Sequence, residues 1–260
     1  MALIALAADK GAPGVTTAAV TLGAVWPRGV LVAECDTSGG DLVYRLPSHE
    51  GTRLDPARGL LSLAAQARHG LRSERIWQHT QRLAGGLDVL VGLTTAEQAA
   101  GLPWIWGRLG QALGSLPDVD VLADCGRLGA RSPMYDLLGQ AAAIVVLTRA
   151  SLDQVAHMRD RVLALANSFG AGGGPTPAIV VVVISEPRQH KQAVDDVNRI
   201  VVNSQLPATV LGGFALDPKG ASMLRGQWGG RLDKSLLIRS GREVAASLLA
   251  HLSGLSGSPG

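Results

Sequence analysis

Residues 2–17, ALIALAADKGAPGVTT, constrain this chain more than any other stretch. Leu3 to Ala7 show no polar alternation, which predicts a strand buried on both faces of a parallel sheet. Lys10 to Gly14 carry two glycines and a proline, so the chain must turn there. The segment from about Val15 to Trp26 reads as a helix that stops at the Pro27-Arg28-Gly29 turn. A buried strand, a glycine loop and a helix N-terminus together place the loop at the carboxyl edge of a doubly wound α/β sheet, where such folds bind ligands.

Lys10-Gly11-Ala12-Pro13-Gly14-Val15-Thr16-Thr17 resembles the deviant Walker A loop of the ParA/MinD ATPases, whose usual form is K-G-G-x-G-K-[ST]-T. The resemblance implies that Lys10 reaches phosphates across a nucleotide-sandwiched dimer. It also implies that Gly11, Gly14, Val15, Thr16 and Thr17 line the nucleotide and that the Thr16 hydroxyl binds Mg²⁺. The second lysine, which in the family holds the β- and γ-phosphates, is replaced by Val15. Pro13 removes a further N–H and Asp9 is expected to add a repulsive charge beside the phosphates. A hydrogen bond to a charged group contributes roughly 1.5–3 kcal/mol, so one lost contact weakens binding about ten- to a hundredfold. The resemblance implies a cytoplasmic partitioning or positioning protein that binds ATP with Mg²⁺, dimerises and hydrolyses slowly or not at all, and a nucleotide-independent scaffold for protein localisation on the same fold is the alternative.

Two more strand ends support the resemblance. Val30 to Glu34 runs into Cys35-Asp36-Thr37-Ser38-Gly39-Gly40-Asp41, similar to the family's D-x-D-P-x-G-G/N segment. There Asp36 would orient the attacking water or the Mg²⁺ shell, although an aspartate followed by Thr37 and Ser38 also suits a helix cap. Val119 to Gly126, VDVLADCG, resembles a Walker B strand that delivers Asp124 to Mg²⁺. Arg127 and Arg131 follow it and are candidates for the missing lysine charge. Later strands are expected at Ala143–Leu147, Ile179–Ile184 and Thr209–Gly213. In the family, the segment after the last of these, here Phe214 to Pro218, often contacts the base, which makes Asp217 a candidate.

Composition narrows the remaining possibilities. The 260 residues, 47% hydrophobic with apolar segments spread evenly, fit one domain over residues 1–252 with a disordered tail at 253–260. Only Lys10, Lys191, Lys219 and Lys234 are lysines among 24 basic residues, so a lysine at the phosphate loop stands out. A net charge of +3 predicts at most weak, nonspecific contact with DNA. Cys35 and Cys125 have no Cys or His cluster around them and read as buried free thiols of a cytoplasmic protein. No apolar run approaches the roughly 20 residues of a membrane span, and Ser253 to Gly260 are short and uncharged, unlike the basic amphipathic helix that ends MinD proteins, so neither integral membrane association nor targeting by that device is expected. The expected partners are a second copy and a protein regulator.

Between these motifs, Gly59–His69 and Ser73–Leu83 show helical spacing, and Leu87–Gly92 should return to the sheet. Six arginines in and around the two helical segments, Arg53, Arg58, Arg68, Arg72, Arg75 and Arg82, suit an ordinary solvated face better than an anion-binding one. In the helical region Thr95–Leu116, Trp104 and Trp106 cannot share a face, so one of them is expected at the surface.

Overall fold

Eight strands carry the core, and their burial follows from their composition. They are β1 (Leu3–Ala8), β2 (Val30–Glu34), β3 (Gln81–Arg82), β4 (Asp88–Leu90), β5 (Asp120–Arg127), β6 (Ala143–Arg149), β7 (Ala178–Ser185) and β8 (Thr209–Ala215). The computed structural model describes residues 1–11, 13–67, 70–130, 132–170, 176–227 and 230–256. Strand order is β3-β4-β2-β5-β1-β6-β7-β8, parallel throughout except for the antiparallel β3–β4 pair at one edge.

Eleven helices are found among the described residues: α1 (Val15–Val25), α2 (Leu42–Arg45), α3 (Leu60–Ala67), α4 (Ser73–His79), α5 (Ala96–Ala100), α6 (Ile105–Gly114), α7 (Tyr135–Leu138), α8 (Leu152–Gly170), α9 (His190–Asn203), α10 (Pro218–Leu224) and α11 (Leu236–Ser256). Alternate residues of each strand enter opposite cores. Leu3, Ala5 and Ala7 pack with α3, α6, α8 and α9, whereas Ile4, Leu6 and Ala8 pack with α1 and α11. Covering both faces is what a parallel sheet of unbroken apolar strands requires. The central strand β1 lies between β5 and β6, so its loop opens at the middle of the carboxyl edge.

Three local expectations change. The helix read over Ser73–Leu83 ends at His79, because Thr80 turns extended (φ −78°, ψ 154°) and Gln81–Arg82 joins the sheet edge. There the Gln81 amide donates to the carbonyls of Asp55 and Arg58 and accepts from the Asp55 N–H, contacts that helical spacing does not reveal. The Thr95–Leu116 region divides into α5 and α6 around Gly101 and Pro103. The last helix continues to Ser256, past the expected end near Leu252, so the first residues assigned to the tail are helical. Arg68, Arg131, Trp228, most of the Gly170–Pro177 connection and residues 257–260 lie outside the described residues.

The tryptophan pair behaves as the spacing predicts: Trp106 is 0% exposed and Trp104 38%, with the Arg108 guanidinium 5.6 Å from the Trp104 ring centroid. Both cysteines are buried and free. Among the described residues, no helix is long and apolar enough to cross a membrane.

Candidate functional site

The loop after β1 is shaped by two glycines in the left-handed region, Gly11 at φ 84° and Gly14 at φ 101°. A side chain on Gly11 would strike the Gln154 amide of α8, 2.5 Å from the added carbon. Gly14 is the N-cap of α1 and offers no side-chain cap, and the helix has no acidic residue in its first turn. The uncapped amides and the positive end of the helix dipole therefore face outward, an arrangement suited to an anion. A cavity of about 470 Å³ opens above them, bordered by Gly14, Val15, Thr16, Thr17, Asp36, Arg45, Gly126 and Arg127 among others. Beside it a more apolar cavity of about 250 Å³ is bordered by Gly14, Thr17, Arg149, Ile184, Phe214 and Asp217.

Three carboxylates gather at the ends of β2 and β5. Asp124 is 1% exposed, and burial pushes its pKa up to about 7, with the nearby Thr16 hydroxyl and the Gly126 amide pulling down and Glu34 and Asp36 adding to the rise. Its Oδ1 accepts from the Gly126 N–H at 3.1 Å, while Oδ2 makes no hydrogen bond of regular geometry. Glu34 lies in register with Asp124 on the neighbouring strand. It is buried but satisfied: Oε1 accepts from the amides of Asp41 (2.7 Å) and Leu42 (2.9 Å), and Oε2 from that of Gly92 (2.9 Å). Burial raises its pKa, and those three amides work against the rise.

Asp36 borders the larger cavity and lies against Gly126, where an added Cβ would come within 2.0 Å of its Oδ2. Burial raises its pKa; bonds from Ser38 and the charge of Arg127 partly offset this. The capping alternative does not hold, since the next helix starts only at Leu42 and its N-cap is Asp41. Asp36 instead accepts from the Ser38 N–H at 2.8 Å within its own loop.

Other candidates are placed differently. Lys10 is exposed and borders neither cavity. Val15 is 6% exposed and joins the core on the α1 face, although it also edges the larger cavity. Asp9 does not burden the loop with a free charge as the sequence suggested. Arg161 of α8 holds its carboxylate through a salt bridge that includes an Nε contact of 2.7 Å, and His157 stands 3.7 Å away. Asp217 borders the smaller cavity, but its carboxylate is engaged by the amides of Gly220, Leu236 and Leu237, which ties α10 to α11.

No protein-family model and no curated protein sequence matches the chain. Solved structures do. A ParA family ATPase from Chlorobium tepidum TLS superposes with a TM-score of 0.72 at 16% identity, over 94% of this chain and 98% of that one. The cell division ATPase MinD of Pyrococcus furiosus gives 0.70 at 16% identity, over 96% and 99%. This is the fold of the ParA and MinD ATPases. Cobyrinic acid a,c-diamide synthase from Mycobacterium smegmatis, solved with an ATP analogue and magnesium, shares it with a TM-score of 0.69 at 20% identity, over 96% of this chain and 95% of that one. The ParA/MinD fold thus serves more than one activity, and the site must decide between them.

Sequence reading missed Glu34, Arg149 and Arg161 at this ParA/MinD-like edge. Glu34 was signalled by a charge closing an otherwise apolar strand, VLVAE, and Arg149 by its place at the end of β6. Arg161 carried no signal, because its partner is 152 residues away.

Proposed function

We propose that the chain is a ParA/MinD-like positioning protein that binds ATP with Mg²⁺ at its degenerate loop, dimerises across this edge and hydrolyses slowly or not at all. The observation that carries the reading is the buried Oδ2 of Asp124, which has no hydrogen bond of regular geometry among the described residues and lies near the Thr16 hydroxyl at the foot of an uncapped helix N-terminus. A buried carboxylate oxygen without a partner is costly unless a cation meets it. Asp124 and the Thr16 hydroxyl fit Mg²⁺, which characteristically uses one or two protein oxygens together with phosphate and water. Mg²⁺ would supply charge neutralisation between the phosphates. The loop amides would hold the anion, Asp36 would orient water, and exposed Lys10 would act on the nucleotide of the second copy.

One observation favours the alternative of a nucleotide-independent scaffold for protein localisation: Val15 is packed into the core where a phosphate-binding lysine would be. Titration calorimetry of the protein with ATP and GTP in Mg²⁺, repeated with Lys10→Ala, separates the two. Saturable binding that weakens in the variant, together with nucleotide-dependent dimerisation in sedimentation, is the expected result. Dimerisation and binding of a protein partner that ignore nucleotide would favour the scaffold.

A further inference from the structure

The two strands that flank β1 each end in an arginine. Arg127 closes β5 and Arg149 closes β6, and both are exposed. Neither side chain enters a hydrogen bond or salt bridge among the described residues. Arg45, also at the cavity, pairs with Asp41, and Arg225 donates from Nε to the Ala221 carbonyl.

The direction of Arg127 is set by an irregularity in the sheet. In β5 the alternation sends Leu122 to the α1 face and Val121, Ala123 and Cys125 to the other, which would send residue 127 away from the loop. Between Leu6 and Ala8 of β1, however, β5 advances from Asp124 to Arg127, one residue more than its partner. Gly126, at φ 57°, takes up this bulge. Arg127 thereby pairs with Ala8 and comes to the α1 face, where it borders the larger cavity with Gly14, Val15 and Thr16. Arg149 needs no such device. It continues the series Ala143, Val145 and Leu147 on the α1 face and borders the smaller cavity with Gly14 and Thr17.

We propose that Arg127 and Arg149 supply the positive charge that Val15 withholds, gripping the phosphate chain of a nucleoside triphosphate from the two sides of the loop. The inference rests on the nucleotide reading above and assigns its charge donors. Guanidinium groups suit the task because their planar fork can hold two phosphate oxygens at once. Arg127, beside Asp36 and Thr16, takes the distal phosphates. Arg149, between the loop and the apolar cavity of Ile184 and Phe214, takes the phosphate nearest the nucleoside.

The test is calorimetric titration of the full chain with Mg-ATP, Mg-tripolyphosphate and AMP, for the wild type, Arg127→Gln, Arg127→Lys, Arg149→Gln, Val15→Lys and Val15→Lys/Arg127→Gln. Thermal unfolding verifies that each variant is folded. Each Arg→Gln change should weaken ATP roughly ten- to a hundredfold. Arg127→Gln should weaken tripolyphosphate but spare AMP, whereas Arg149→Gln should weaken AMP. Val15→Lys should restore more affinity in the Arg127→Gln background than it adds to the wild type, and Arg127→Lys should fall between wild type and Arg127→Gln. ATP binding at wild-type affinity in both Arg→Gln variants would overturn this inference and leave the nucleotide reading standing. An absence of ATP binding by the wild type would overturn both.

Discussion

Asp124→Asn tests the buried carboxylate at the centre of the site. In the folded protein burial lifts the pKa of Asp124 from 3.8 to about 7, whereas in the unfolded chain it titrates near its ordinary value. The folded state therefore binds more protons across that window, and stability falls as pH rises from about 4 to about 7. At roughly 1.4 kcal/mol per pH unit the full penalty is on the order of 4 kcal/mol. Asparagine keeps an acceptor for the Gly126 N–H and cannot ionise. Urea unfolding in EDTA, followed by circular dichroism from pH 5 to 8, should show Asp124→Asn gaining on the wild type by about 1–2 kcal/mol at pH 5 and on the order of 4 kcal/mol at pH 8. Mg²⁺ should return part of the loss to the wild type and do nothing for the variant. Parallel pH curves for the two proteins would refute the reasoning.

Two further predictions concern stability. At the opposite edge of the sheet, Asp120 is fully buried and accepts from the Ala2 amide (2.9 Å), the Trp26 indole (2.8 Å) and Arg28 (2.5 Å). Burial opposes ionisation there, but these donors together hold the carboxyl below its usual pKa, so its stabilisation is present above about pH 4 and lost as pH falls further. Asp120→Ala should cost on the order of 3 kcal/mol at pH 7 by urea midpoint, with the difference narrowing below pH 4. Arg161→Leu should strand Asp9 and the Tyr135 hydroxyl, to which Arg161 also donates, and lower stability by about 2–3 kcal/mol. Adding Asp9→Asn should recover most of that loss, and failure to do so would assign the effect to packing around Arg161.

The sheet was legible because its strands are buried on both faces: β1, β2 and β7 read directly as apolar runs, and the carboxylates after β2 and within β5 marked its carboxyl edge. What escaped depends on contacts distant in sequence. Gln81–Arg82 is a strand only because β4 is beside it. Asp9 looked repulsive because Arg161 could not be seen, and Asp217 looked available because the amides it caps belong partly to α11. The bulge at Gly126 was invisible for a different reason. A one-residue slip in a ladder leaves no periodic trace, yet it decides which way Arg127 points.

The placement of Glu34 bears on how this edge could respond to a ligand. Its two oxygens fasten the start of α2 and the chain leaving β4, while the Cys35 amide is tied to the Asp124 carbonyl and the Gly40 amide to that of Leu93. The stretch carrying Asp36 is thus a short strap pinned at both ends. Moving Asp36 far from the cavity would require these bonds to break. A ligand that displaced Asp36 would therefore load α2 and the exit of β4 together, since the Glu34 carboxylate fastens both.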